Sequence, residues 1–167
     1  MMESASTKPT TTAGSQRFLA FSLGVEDFAV PLLSVREVVA LPEMTRVPNT
    51  SGYFSGIMNL RGQIISVFDL RLRFGMKAEH GSETAVIIHN FSQLCFGVVV
   101  SSVNNVLSLK DTDISEKPDF QDMQANAYIT GVSRYNDKLV LLLDVVKALR
   151  LEDIAALKQS AKNKSAA

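Results

Sequence analysis

Few residues of this 167-residue chain could do chemistry, and their types and spacing argue against catalysis. The histidines are His80 and His89 and the one thiol is Cys95. No His/Cys spacing among them fits a zinc site, and no glycine-rich loop could cradle a phosphate. His80 stands beside Gly81 and reads as a solvated loop residue. His89 lies near the end of an expected strand, where packing or a backbone hydrogen bond accounts for it. Cys95, between Leu94 and Phe96, reads as a small buried hydrophobe rather than a nucleophile. Asp69 and Asp144 each follow an apolar run and precede a short helical stretch, so helix capping explains them better than paired acid–base work. The chain is read as no enzyme, with no metal and no cofactor.

Recognition is the chemistry left, and Arg61 and Glu37 lead the candidates. A guanidinium held in a turn can pair a carboxylate bidentately, which supplies orientation as well as energy. The residue types leave two readings open, because exposed charges of this kind are often solvated and contribute little as a pair. Arg71 and Arg73 read as decoration on the exposed side of a short helix, and Thr45–Asn49 as a turn. Phe120, on the polar stretch 117–122, either plugs a gap or offers an apolar contact to a partner.

The elements that position these residues come in two copies. GIMNLRGQIISVFDLRLRF begins at Gly56, and GVSRYNDKLVLLLDVVKAL begins 75 residues later at Gly131. Both have an opening glycine, a strand–turn–strand rhythm and a following aspartate. The charged Asn59–Leu60–Arg61–Gly62 segment reads as an insert present in the first copy alone. FAVPLLSVREVV from Phe28 and FGVVVSSVNNVL from Phe96 match at an offset of 68. Under these offsets Asn105 stands at the place of Glu37, and Asn136 at that of Arg61. A duplication explains the skeleton, so what differs between copies is the candidate for function.

Around this repeat, short runs rich in Val, Ile, Leu and Phe are separated by turn residues such as Gly24–Val25, Arg61–Gly62 and Asn136–Asp137. That rhythm predicts about ten strands and an all-β, barrel-type fold. Asp69 should cap a short helix at 70–74, and Asp144 a longer one at 144–160. Residues 1–16 read as a flexible tail, 17–150 as one domain, and 161–167 as a frayed end. Within the domain, subdomains at about 17–76 and 83–143 share one core. Equal numbers of acidic and basic residues, 17 of each, disfavour nucleic acid as the main partner. The single cysteine suits a reducing compartment, and no apolar run approaches the roughly 20 residues of a spanning helix. A soluble, cytoplasmic protein without membrane insertion is expected.

The runs TRVPN (45–49), NLRG followed by a hydrophobic strand and DLR (59–71), FGVVVSSVNNVLSL (96–109) and YITGVS (128–133) resemble the CheW family of chemotaxis coupling proteins. The resemblance covers Phe18 to about Leu149. It implies two pseudo-symmetric five-stranded SH3-like barrels around a shared hydrophobic core, with short helices. It implies a non-catalytic adaptor that couples the cytoplasmic tip of chemoreceptors to the regulatory domain of the histidine kinase CheA, with other CheW copies possible in rings. Receptor-binding positions carried over by motif are Val35, Glu37, Gly56, Asn59, Arg61, Val86 and Val106, forming a groove with Arg61 held by Glu37 at its rim. Phe120 matches a kinase-binding position. Ser101 and Asn105 depart from the acids often found there, as Ser66 departs from a common proline. Two alternatives stand beside this reading: an adaptor of a pilus-motility or gene-regulatory phosphorelay, and, more remotely, a small-ligand-binding β-barrel.

Overall fold

The computed structural model describes residues 15–116 and 127–149. Its strands are β1 (Ser15–Leu23), β2 (Glu26–Pro31), β3 (Val35–Ala40), β4 (Phe54–Leu60), β5 (Gln63–Asp69), β6 (Ala85–Phe91), β7 (Leu94–Val100), β8 (Ser102–Lys110), β9 (Ile114–Ser115), β10 (Ile129–Tyr135) and β11 (Lys138–Leu143). One-turn helices α1 (Leu70–Arg73) and α2 (Val145–Ala148) follow β5 and β11. One sheet runs β3-β6-β7-β5-β4 and the other β9-β10-β11-β2-β1-β8. The all-β, two-barrel expectation is met, the sixth strand of the larger sheet being the two-residue β9.

The duplication is visible atom by atom. A bulge separates Phe54 from Gly56 in the β4–β5 pairing, and one separates Ile129 from Gly131 in β10–β11. The β4–β5 turn places Arg61 at φ +52° and Gly62 at φ +87°; Asn136 and Asp137 sit at +52° and +63°. Two consecutive left-handed residues make the turn whose twist suits a two-residue hairpin. The turns thus match in length and shape, so the copies differ there in side chains rather than by an insertion. The amides of Asp69 and Asp144 each donate, over 2.8 Å, to the carbonyl of a tyrosine, Tyr53 and Tyr128 respectively. Each carboxylate then caps its one-turn helix, accepting from the backbone N–H of Arg71 and of Lys147.

Sheets and sequence halves are different partitions of the chain. The β1–β2 hairpin from the first half pairs with β8 and β11 from the second. The β6–β7 hairpin from the second half pairs with β3 and β5 from the first. The exchange is symmetric: β2 runs parallel to β11 with Phe28 opposite Leu141, and β7 runs parallel to β5 with Phe96 opposite Ser66. The segments 17–76 and 83–143 are therefore repeats, each lending a hairpin to the other's barrel.

This exchange explains the packing. Met58, Ile65, Val67, Val86, Ile88 and Val99 fill the first barrel, and Phe18, Ala20, Leu107, Leu109, Val140 and Leu142 the second. Between the barrels a third cluster, including Phe21, Phe28, Phe68, Phe96, Ile87 and Leu143, forms the shared core. Strand β7 is covered on both faces, one toward a barrel interior and one toward the shared core. Its residues from Phe96 to Val100 are accordingly a continuous buried apolar run rather than an alternating one. The C-terminal helix differs from its expected span: α2 ends at Ala148, and Leu149 is extended at φ −84°, ψ 139°. Residues 150–167 lie outside the described set, as does the expected tail except Ser15 and Gln16.

Candidate functional site

Strand β3 is one edge of the five-stranded sheet and β4 is the other. A barrel needs those edges joined, and two devices join them. Thr45 and Ile57 exchange backbone hydrogen bonds of 2.9 Å in each direction. Glu37 on β3 meets Arg61 in the β4–β5 turn, where Arg61 Nη1 donates to Oε2 and Nη2 to Oε1, each over 2.7 Å. This is the fork-to-fork arrangement that fixes direction. The paired side chains are 67% exposed for Arg61 and 22% for Glu37. Hydrogen bonding from Arg61 holds the Glu37 carboxyl below its ordinary range, and Glu37 in turn raises Arg61. Asn59 braces the turn by accepting from the Gly62 amide over 2.8 Å. Arg36 approaches Glu37 at 3.9 Å and also donates to Gln63 over 3.3 Å.

The second barrel carries a neutral version of the same clasp. Asn105 Nδ2 donates to the hydroxyl of Tyr135 over 3.2 Å, from the β8 place matching Glu37 to the residue just before the turn. Two barrels of one plan thus have one charged and one uncharged fastening. The charged one costs backbone strain: arginine stands in the left-handed region, where the second copy has the better-suited asparagine.

Of the other carried-over positions, Asn59 braces the clasp turn, and the rest are placed as follows. Val86 is completely buried inside the first barrel, so no partner can touch it. Val35 is half-buried against the shared core, opposite His89 on β6. Val106 is exposed, but on the other sheet, opposite Leu19. Gly56 is buried and acts through backbone shape, treated below. Phe120 lies outside the described residues. The exposed apolar side chains on strands flanking the clasp are Val38 on β3 and Ile64 on β5.

Arg71 and Arg73 overturn the expectation of surface decoration. Arg71 is 1% exposed: its Nε and Nη2 donate to the two oxygens of Asp69, over 3.0 and 2.9 Å. Nη1 donates to the Glu79 carbonyl over 2.6 Å, and Nη2 lies 3.3 Å from Nδ1 of His80. His80, read as a free loop residue, is thus an acceptor on a buried cation. Arg73 donates from Nε to the Ala148 carbonyl over 2.7 Å and stacks against Tyr53 and Tyr128 at 5.5 and 5.9 Å. It fastens α1 to the end of α2, across the two copies. Cys95 is only partly buried and accepts from Arg36 at 3.4 Å.

His89 is buried as expected and stacks on Phe96 with ring centroids 5.4 Å apart. Burial lowers its pKa from the ordinary 6.5 to about 4, against a backbone hydrogen bond to Ser34 that acts the other way. The native state therefore excludes a proton that the unfolded chain takes up below about 6.5. Stability is full above that pH and falls between about 6.5 and 4, by up to about 3 kcal/mol, levelling off below. Urea unfolding of wild type and His89→Phe across this range measures it: the wild-type curve slopes and the variant's loses that component. Parallel curves would refute the assignment.

Comparison with known proteins agrees with this fold. The CheW-like domain model matches residues 17–153. The chemotaxis protein CheW of Klebsiella aerogenes is 36% identical over 149 residues, covering 89% of this chain and 90% of the relative. CheW of Helicobacter pylori is 33% identical, covering 80% and 81%. The crystal structure of the scaffolding protein TtCheW from Thermoanaerobacter tengcongensis aligns with a TM-score of 0.71 at 30% identity, over 77% of this chain and 88% of that one.

Proposed function

The chain belongs to the CheW-like domain family, and from that premise we propose that it is a non-catalytic adaptor coupling chemoreceptors to the histidine kinase CheA in chemotaxis. The relatives above are chemotaxis proteins over most of their length, which favours this circuit over a pilus-motility or gene-regulatory one. The adaptor works in the cytoplasm and is recruited to receptor arrays; no described helix is long and apolar enough to cross a membrane.

The finer proposal is that the receptor's cytoplasmic tip docks at the Glu37–Arg61 clasp. The carrying observation is the asymmetry between copies: a bidentate, outward-facing ion pair on a strained turn in one barrel, and a neutral bond in the other. Val38 and Ile64 supply apolar surface on the same barrel, while the CheA regulatory domain engages elsewhere. High local concentration in an array lets modest single contacts suffice. The adaptor then biases the kinase through contacts that differ between its states.

Arg61→Asn separates fold from function. It installs the residue that the second copy tolerates in the same turn, so the melting temperature should hold while receptor-tip affinity drops about tenfold or more. Calorimetric titration of wild type, Arg61→Asn and Glu37→Lys with receptor tip, and separately with the CheA regulatory domain, reads this. Kinase affinity should be unchanged. Receptor affinity unchanged in both variants would remove the clasp from the interface.

A further inference from the structure

The end of the first barrel holds a third charged residue that closing a barrel does not require. Arg36 Nε lies 3.9 Å from Glu37 Oε2, beside a carboxylate whose two oxygens Arg61 already engages. The Arg36 side chain is 40% exposed, and its Nη1 donates to Gln63 Oε1 over 3.3 Å and to Cys95 Sγ over 3.4 Å. A bulge aims it there. In the β3–β6 pairing Val35 and Glu37 stand opposite the consecutive residues His89 and Ile88, so Arg36 is the extra residue on β3. The second copy keeps an irregularity at the matching place, between Val103 and Val106 of β8.

Under the offsets of 68 and 75, Arg36, Glu37 and Arg61 correspond to Asn104, Asn105 and Asn136. Three charges in one barrel are three asparagines in the other. Asn104 Nδ2 donates to Ser22 Oγ over 3.0 Å, as Asn105 Nδ2 does to Tyr135, so the second barrel is fastened without ionised groups at these places. In the first barrel two cations flank one anion and leave one net positive charge. Glu37 stays ionised between them: hydrogen bonding from Arg61 lowers its pKa most, burial opposes this, and the charges of Arg61 and Arg36 add to the lowering. The exposed apolar surface, by contrast, is common to both copies. Val38 and Ile64 on the first barrel have Val106 and Leu139 at the matching places on the second, all four exposed. Apolar contact alone therefore cannot tell a partner which barrel to choose, and charge can.

We propose that Arg36 is a specificity-determining residue of the clasp, selecting a receptor tip that sets a carboxylate side chain beside an apolar stripe. This rests on the reading that the receptor docks at the clasp, and names the chemistry that site takes. Apolar residues of the docked helix cover Val38 and Ile64, and an aspartate or glutamate at the edge of its stripe meets Arg36 and Arg61 together. Arg36 stands two residues before Val38, so charged and apolar contacts adjoin on one edge strand. Charge complementarity fixes the sign of the partner: an acidic side chain neutralises the excess charge, whereas a basic one would meet two guanidiniums. A carboxylate also accepts from a planar guanidinium through two parallel bonds, which a hydroxyl cannot match.

Calorimetric titration of a receptor-tip fragment into the full chain, repeated across salt concentrations, tests this. Wild-type affinity should fall at least about fivefold between about 50 and about 300 mM sodium chloride. Arg36→Asn installs the residue of the matching bulge, so the melting temperature should hold. Its affinity should fall about five- to tenfold at low salt, with a flatter salt dependence. Arg36→Glu should bind more weakly still. Changing the acidic residues of the tip to lysine, one at a time, should yield one variant that restores binding to Arg36→Glu and loses binding to wild type. Salt-indifferent binding of wild type, wild-type affinity in Arg36→Asn, or no rescue of Arg36→Glu by any lysine overturns the proposal. A loss in Arg36→Asn that is equal at every salt concentration assigns Arg36 to barrel shape and overturns it too. If Arg36→Asn binds normally while Arg61→Asn and Glu37→Lys bind weakly, the clasp stands and only the acidic partner falls. Indifference of all three variants removes the clasp itself.

Discussion

Arg71→Ala should destabilise the fold by about 3–5 kcal/mol, the usual consequence of removing one partner from a buried pair. The reason is what stays behind. Asp69 is 3% exposed, and its carboxylate would keep one backbone N–H from residue 71 after losing two charge-assisted hydrogen bonds. The Glu79 carbonyl and His80 Nδ1 would lose their donor as well. Those contacts hold the 77–82 segment against α1, and that segment delivers the β6–β7 hairpin to the other copy's strands. Asp69→Asn should be damaging for the mirror reason, leaving a buried cation without its anion. The double change Asp69→Asn with Arg71→Met removes both charges and should recover much of the loss, because a buried pair is weak evidence of net stabilisation while half a pair is costly. Urea unfolding at neutral pH of wild type, Asp69→Asn, Arg71→Met and the double variant closes the cycle, with Arg71→Ala measured beside them. A loss below about 1 kcal/mol for Arg71→Ala would mean that solvent reaches Asp69 and that the pair is a surface one.

That arginine also marks where sequence reading stops. The repeat was legible, because turns, bulges and caps are set by local residue types that recur at fixed offsets: Gly56 and Gly131, Arg61–Gly62 and Asn136–Asp137, Asp69 and Asp144. Helix surface logic then assigns Arg71 to solvent, since a cation on a four-residue helix ordinarily has room outside. Its burial depends on the chain after Gly75 folding back over it, a long-range event with no local signature. A weak signal was there: the cap Asp69 and Arg71 are two residues apart, and the second copy keeps the cap without the cation. Arg73 was misread for the same reason, its acceptor Ala148 lying 75 residues away.

The hairpin exchange was illegible for a different reason. Self-similarity shows that β2 and β7 are equivalent, and so are β5 and β11. Equivalent strands have equivalent faces, so Phe28 could pair with either copy on composition alone. The choice is made by connection geometry, and no residue type announces it. Of the candidate site, asymmetry between copies singled out Glu37 and Arg61 but left solvated charges as an open reading; their pairing came from the resemblance and is met by the bidentate contact. The inclusion of Val86 came from resemblance, and its complete burial restricts it to an indirect role through packing.

Gly56→Ala should cost at least about 3 kcal/mol and should lower receptor affinity without Gly56 touching the receptor. The backbone at Gly56 has φ +138°, which L side chains rarely adopt. A methyl group there would stand 2.4 Å from the Thr45 carbonyl oxygen and 3.0 Å from its carbon. Both are backbone atoms, so relief requires the 45–49 loop to move away. That movement breaks the two 2.9 Å hydrogen bonds between Thr45 and Ile57, one of the two fastenings between the edges of the first barrel. The Glu37–Arg61 pair would then hold the edges alone, and a mobile edge cannot present a fixed guanidinium. Gly131 provides the control: its φ is unremarkable, and an added methyl meets chiefly the Ile114 Cγ2 at 2.9 Å, a side-chain atom with freedom to shift. Gly131→Ala should therefore cost clearly less, at about 1 kcal/mol. Hydrogen exchange at the Thr45 and Ile57 amides, read beside urea unfolding and receptor titration, separates the steps. If Gly56→Ala keeps those amides protected and still loses receptor affinity, the glycine is itself a contact and the indirect account fails. If protection and affinity fall together while Gly131→Ala keeps both, the glycine serves recognition by holding the barrel shut behind Arg61.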